Sequence, residues 1–201
     1  MIRFPFQFFS ALAVLLWLPV PAEAAEPLFQ WTPPPGETSA FRSEAPELVL
    51  PERFTLFLWA KKPVHQPRES ALFSQRRDGA VFEIRDAYEA VRLLCGSFDL
   101  RLPRNTLRHN LWHAIAVTGD GEEAAIFING VKHWSGRIPR PPASSGAKTV
   151  TAIGRSLYSD AFFFPGTIRS VRLFPAVLDE KEQFKLMAGD LNSGTEGPHH
   201  E

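Results

Sequence analysis

The chain has 201 residues and carries 22 Lys and Arg against 22 Asp and Glu, so its formal charge is zero. That balance excludes a general nucleic-acid binder, which needs a basic surplus to neutralise phosphates, and adhesion to anionic membranes by charge alone. One cysteine excludes an internal disulfide framework and any multi-cysteine zinc site, while 44% hydrophobic residues exclude a disordered chain.

In chain order, residues 1–24 read as an export signal. Arg3 gives a thin positive start, Phe8 to Leu18 is apolar except at Ser10, and Ala22-Glu23-Ala24 is a small-x-small cleavage site behind Pro19-Val20-Pro21. The apolar run is shorter than the roughly 20 residues that span a bilayer. The expectation is a secreted, periplasmic or cell-surface protein with no membrane insertion once the signal is removed. Residues 25–46 form a Pro-rich leader centred on Pro33-Pro34-Pro35-Gly36, which Leu28, Phe29, Trp31 and Phe41 could anchor as an edge strand.

Residues 47–189 read as one all-β domain, an antiparallel two-sheet β-sandwich with a short C-terminal helix. Phe54 to Ala60 is apolar on both faces, as in a strand covered on both sides. Ala80 to Arg85 alternates, with Val81, Glu83 and Arg85 on one side and Phe82 and Ile84 on the other. Two strands follow, over Glu89–Cys95 and Ser97–Leu102, with Cys95 in a buried context. Trp112 to Thr118 turns through Gly119-Asp120-Gly121-Glu122 into Ala124 to Ile128, and Asn129-Gly130 turns the chain again, because both residues tolerate positive φ. Ser135 to Thr149 is a Pro/Arg/Ser loop in which Arg137, Arg140 and Lys148 have no acid between them. Val150–Gly154 and Gly166–Phe174 are the last strands. Asp179 with Glu182 is a capping box for a helix through Met187 that Gly189 should end, leaving residues 190–201 as a flexible tail.

Four stretches, spread in order over residues 48–188, resemble the LamG-like jelly roll of the concanavalin A-like lectin/glucanase superfamily, LamG/pentraxin type. They are Phe54-Thr55-Leu56-Phe57-Leu58-Trp59-Ala60-Lys61, Leu111-Trp112-His113-Ala114-Ile115-Ala116-Val117-Thr118, Ala125-Ile126-Phe127-Ile128-Asn129-Gly130-Val131, and Ile153-Gly154-Arg155-Ser156 with Phe164 to Phe174. The resemblance implies two stacked sheets whose Phe and Trp residues fill a layer of about 10 Å.

Some members of that superfamily are glucanases carrying E-x-D-x-x-E on one strand. Here Glu83-Ile84-Arg85-Asp86 has Arg where the Asp belongs, and Asp86 falls on the opposite face. No other paired carboxylates stand out, so the expectation is not an enzyme but a non-catalytic domain that binds a glycan or an extracellular protein. The alternatives are a divergent glycoside hydrolase or polysaccharide lyase on the same fold, and an assembly domain without a small ligand. Trp134, Arg137, Arg140, Tyr158, Asp160 and Phe162 are the candidate ligand-binding residues, because aromatic faces stack on sugar rings while charged groups fix hydroxyls. No cofactor is expected except calcium, which the resemblance raises and for which Asp120, Asn129 and Asp160 are the candidate donors. Pro165 and Arg169-Ser170 replace acidic positions of the family's late motif and weaken that reading.

Overall fold

A computed structural model of the chain describes residues 25–33, 41–43, 49–63, 69–77, 79–139, 149–159 and 161–193. Residues 1–24, read above as an export signal, the tip of the 135–149 loop with Arg140 and Lys148, Asp160, and residues 194–201 lie outside the described residues.

The described strands are β1 (Phe29–Trp31), β2 (Phe41–Ser43), β3 (Phe54–Lys61), β4 (Ser70–Arg77), β5 (Ala80–Asp86), β6 (Val91–Cys95), β7 (Phe98–Arg101), β8 (Trp112–Gly119), β9 (Glu123–Ile128), β10 (Val131–Arg137), β11 (Thr149–Ile153) and β12 (Thr167–Phe174). One helix, α1 (Glu180–Ser193), follows them. The strands form two six-stranded sheets, ordered β1-β12-β3-β8-β9-β10 and β2-β11-β4-β5-β6-β7. Every pairing between neighbours is antiparallel. The leader does add an edge strand, and does so twice: β1 pairs with β12 in one sheet and β2 with β11 in the other.

The alternation in β5 is what the core requires. Phe82 and Ile84 point inward against Phe54, Leu56, Leu58, Ile115, Val117 and Ile126 of the facing sheet, and Phe54 meets Phe82 edge-on, with ring centroids 5.9 Å apart. Removing such side chains from water contributes about 1.5–3 kcal/mol apiece.

The two-faced β3 has an equally direct cause. Its Phe54, Leu56, Leu58 and Ala60 fill the space between the sheets, while Phe57 and Trp59 join a second apolar cluster with Phe127, Phe174, Leu178 and Met187. The helix lies against the outer face of the first sheet, where small Ala114 and Ala116 belong to the same cluster. The helix opens on the expected capping box: Asp179 N–H donates to Glu182 Oε2, and Glu182 N–H donates to Asp179 Oδ1, both at 2.8 Å.

Gly189 does not end the helix, which continues to Ser193. Tertiary bonds to the next residue override the local stop signal. Trp59 Nε1–H donates to Asp190 Oδ2 at 2.8 Å, Arg169 donates to the Asp190 carbonyl at 2.6 Å, and Arg172 pairs with Asp190 Oδ1.

Gly166 shows why a motif glycine stands where it does. A Cβ there would fall inside contact distance of the Lys61 carbonyl oxygen and 2.6 Å from the Phe164 ring. The backbone atom cannot yield cheaply, so Gly166→Ala is expected to cost about 1–3 kcal/mol, read as a lowered urea midpoint at unchanged slope. An unchanged midpoint would show that β3 and β12 can separate without penalty.

His113 is buried at the start of β8. Its Nε2 accepts from Arg108 N–H at 2.9 Å and lies 3.2 Å from the Arg108 carbonyl, while its Nδ1 lies 3.3 Å from Asn129 Nδ2. Burial, the largest influence, holds its pKa below the ordinary 6.5. Between that depressed folded value and 6.5, the unfolded chain binds more protons than the folded one. The contribution is therefore fully present above 6.5 and declines as pH falls through the window below it. Unfolding midpoints measured from about pH 7.5 to 5.5 should fall, and His113→Gln should flatten that fall. An equally steep fall in the variant would assign the effect to other groups.

Candidate functional site

With α1 over the first sheet, the outer face of the second sheet is the one that no described helix covers. Register decides what stands there. Directly opposed residues of an antiparallel pair share a face, so Arg85, Arg92 and Arg101 form a row across β5, β6 and β7. Ser74, Glu83, Leu94 and Asp99 form a parallel row beside it.

Three carboxylates thread this arginine row. Glu83 Oε2 accepts from Arg85 Nε at 2.9 Å and from Nη2 at 2.5 Å. Asp99 takes a two-pronged contact from Arg92, with Nε at 2.8 Å and Nη2 at 2.5 Å. Glu69, at the entry to β4, accepts Arg92 Nη1 at 2.7 and 2.9 Å and Arg85 Nη1 at 3.3 Å. The hydrogen bonds from Arg92 hold the Asp99 carboxyl below its ordinary range, and Asp99 in turn leads the influences that raise Arg92. Glu83 and Arg85 are both buried, whereas Arg92, Asp99 and Arg101 reach solvent.

Aromatic rings lie on this network. The loop after β11 folds back onto the sheet: Leu157 N–H donates to Ser74 Oγ at 3.0 Å, and Tyr158 and Ser159 N–H both donate to Ser156 Oγ. This places the Phe162 ring 4.7 Å and the Tyr158 ring 5.7 Å from the Arg85 guanidinium. Tyr158 remains 74% exposed. A tyrosine ring fixed on a buried arginine, near the bidentate Arg92–Asp99 pair, is suited to stacking on a sugar face and to hydrogen-bonding its hydroxyls.

Of the candidate ligand-binding residues that are described, Tyr158 and Phe162 meet on this face. Trp134 packs against the core, 5.9 Å from the Phe98 ring, because β10 and β7 are edge strands of facing sheets and its indole closes the gap between them. It is not the exposed platform expected. Arg137 is exposed at the end of β10, beside a rim cavity of about 320 Å³ lined by Leu50, Phe54, Phe82, Cys95 and Ile138. Burial pushes the Cys95 thiol there up to about 11, which makes it a poor nucleophile.

Asp120 and Asn129 do not meet. The six residues of β9 separate them, about 20 Å at strand rise. Asp120 Oδ1 accepts from Glu122 and Glu123 N–H, contacts that lower its pKa, and Asn129 Oδ1 accepts from Ala114 N–H. The Asp120 side chain caps its own turn, and that of Asn129 ties its turn to β8. Among the described residues, no group of three or more His, Cys, Asp or Glu could hold a metal ion.

The carboxylates of the hydrolase alternative are also apart. Glu83 stands on the outer face, bound to Arg85, while Asp86 is buried with Lys62 Nζ at 3.1 Å. Burial outweighs Lys62 and raises the Asp86 carboxyl.

The sequence had placed Glu83 and Arg85 on one side of a strand. What it hid was that β6 and β7 add Arg92, Asp99 and Arg101 to the same face, since register across three strands is not a local property.

Comparison with known proteins follows the same lines. No curated protein sequence matches the chain. Among solved structures, the carbohydrate-binding module CBM40 of the Ruminococcus gnavus intramolecular trans-sialidase, bound to α2,3-sialyllactose, is similar at TM-score 0.64 and 16% identity, over 80% of this chain and 99% of that one. Domain 4 of an extracellular arabinanase from Geobacillus stearothermophilus, in complex with arabinotriose, is similar at TM-score 0.56 and 22% identity, over 69% of this chain and 68% of that one. The leech intramolecular trans-sialidase is similar at TM-score 0.64 and 16% identity, over 80% of this chain but 28% of that longer one. At these identities the likeness is one of fold. The laminin-G-type family model of the concanavalin A-like lectin/glucanases superfamily matches residues 35–182. With most of its length matched and its two sheets arranged as that fold requires, the chain belongs to the concanavalin A-like lectin/glucanase superfamily.

Proposed function

We propose that this protein is an exported, non-catalytic domain that binds carbohydrate on the outer face of its second sheet. The observation that carries the reading is Tyr158, three-quarters exposed and seated on Arg85 beside the Arg92–Asp99 pair. The fold neighbours support it, since a carbohydrate-binding module and an arabinanase domain hold their sugars on the same architecture. Against a hydrolase stands the geometry of Glu83 and Asp86. One is tied to Arg85 and the other lies beneath the sheet, so these two carboxylates do not flank a common scissile bond.

Export is part of the proposal and rests on residues 1–24. N-terminal sequencing of the protein recovered outside the cytoplasm should begin at Ala25.

Calorimetric titration with α2,3-sialyllactose and arabinotriose, the two sugars held by the fold neighbours, tests the binding. Saturable heat without release of free sugar supports a binding module. Turnover abolished by Glu83→Gln would establish the hydrolase instead. Absence of heat with these and a wider glycan panel would move the assignment to a protein partner.

A further inference from the structure

The turn between β5 and β6 is built from the wrong residues for its shape. Ala87 N–H bonds to the Ala90 carbonyl at 2.8 Å, and the two residues between them, Tyr88 and Glu89, have φ of 55° and 70°. Such a two-residue turn favours Asn-Gly, and bulky side chains are strained there. The surroundings hold the strain in place. Leu107 N–H donates to the Glu89 carbonyl at 3.2 Å, and His109 Nε2 lies 2.6 Å from Glu89 Oε1. A strained conformation held by several neighbours is a reason to look for function.

What the turn displays is the Tyr88 ring, 48% exposed and 5.3 Å from the Arg101 guanidinium. Arg101 differs from the other two arginines of the row. Arg85 and Arg92 have carboxylate oxygens within hydrogen-bond distance. Arg101 donates to the Ala87 carbonyl at 2.8 Å, and among the described residues its ion-pair carboxylate, Glu69, is 3.9 Å away and already bonded to Arg92. With five donors and 44% of its side chain exposed, Arg101 has bonds to give on the solvent side. Two strand spacings, about 10 Å, separate it from Arg85. The row thus carries an exposed tyrosine at each end.

We propose that Tyr88 and Arg101 form a second subsite that takes a carboxylate-bearing unit of a glycan chain, with a neighbouring unit of the same chain on Tyr158. This rests on the carbohydrate reading above. The chain would run across β5, β6 and β7, its carboxylate on the unspent donors of Arg101 and its ring against Tyr88.

The test uses the whole protein and two matched pairs of probes: α2,3-sialyllactose against lactose, and a galacturonate trisaccharide against its neutral galactose counterpart. The pairs distinguish a sialic acid from a uronate as the source of the carboxylate. In wild type the acidic member of at least one pair should bind about tenfold more tightly. Arg101→Gln should reduce that preference to about twofold or less while neutral binding persists. Tyr88→Asn should weaken the chain probes and, by relieving the turn, raise the melting temperature by about 2–4 °C. A purely structural Tyr88 would not give those two effects together.

If acidic and neutral members bind alike, or if Arg101→Gln and Tyr88→Asn leave the affinities unchanged while Tyr158→Ala abolishes them, the second subsite is wrong and the carbohydrate site stands. If no glycan binds wild type, both readings fall.

Discussion

Replacing Glu83 with alanine should cost about 3–5 kcal/mol of folding stability, the largest effect expected from any single change on the candidate face. Glu83 is fully buried and Arg85 is 4% exposed. Two of the arginine's nitrogens donate to Glu83 Oε2, and the rings of Phe162 and Tyr158 close over it. Without the carboxylate, the guanidinium keeps, among the described residues, the 3.3 Å bond to Glu69 and stays buried. The double variant Glu83→Leu with Arg85→Met should recover most of the loss, because it removes both desolvation costs together. Chemical denaturation of the single and double variants measures this directly. A single-variant loss below about 1 kcal/mol, as for an exposed ion pair, would mean that solvent already reaches Arg85.

Tyr158→Ala should do the reverse, leaving the fold intact and removing most of the affinity. The ring is mostly outside the core, so its loss should change stability by less than about 0.5 kcal/mol. If it is the sugar platform, truncation should weaken glycan binding by about 2 kcal/mol or more, roughly thirtyfold. Calorimetric titration beside a thermal melt separates the two effects. Normal affinity in the variant would put the platform elsewhere. A large fall in melting temperature would make Tyr158 a structural cover for Arg85.

The contrast between these two residues shows what a single sequence discloses. β3, β8, β9 and β12 announce themselves because each buries a continuous apolar face, and Asn129-Gly130 announces its turn because few residues accept its backbone. The capping box of Asp179 and Glu182 is local chemistry and is legible for the same reason. The candidate site is different. Arg85, Arg92 and Arg101 lie on three strands, and only the β5-β6-β7 register makes them a row. Trp134 has the same composition signal as an exposed platform but closes the gap between two edge strands. Gly189 has the signature of a helix stop, yet the bonds of Asp190 to Trp59, Arg169 and Arg172 carry the helix past it. Tyr88 carries no turn signal of its own, because its positive φ is set by tertiary contacts.

The charge balance with which the sequence opens takes a concrete form on this face. Glu69, Glu83 and Asp99 sit among Arg85, Arg92 and Arg101, so the charges of this cluster balance and what it offers a ligand is directed hydrogen bonds and ring faces.

Amide chemical-shift mapping of the protein during titration with an oligosaccharide that binds it tests the central claim most directly. Perturbations should cluster on β5, β6 and β7 and on the loop carrying Tyr158 and Phe162, with the helix-covered sheet silent. Perturbations gathered instead at the rim, around Asp120, Arg137 and the cavity beside Cys95, would contradict it.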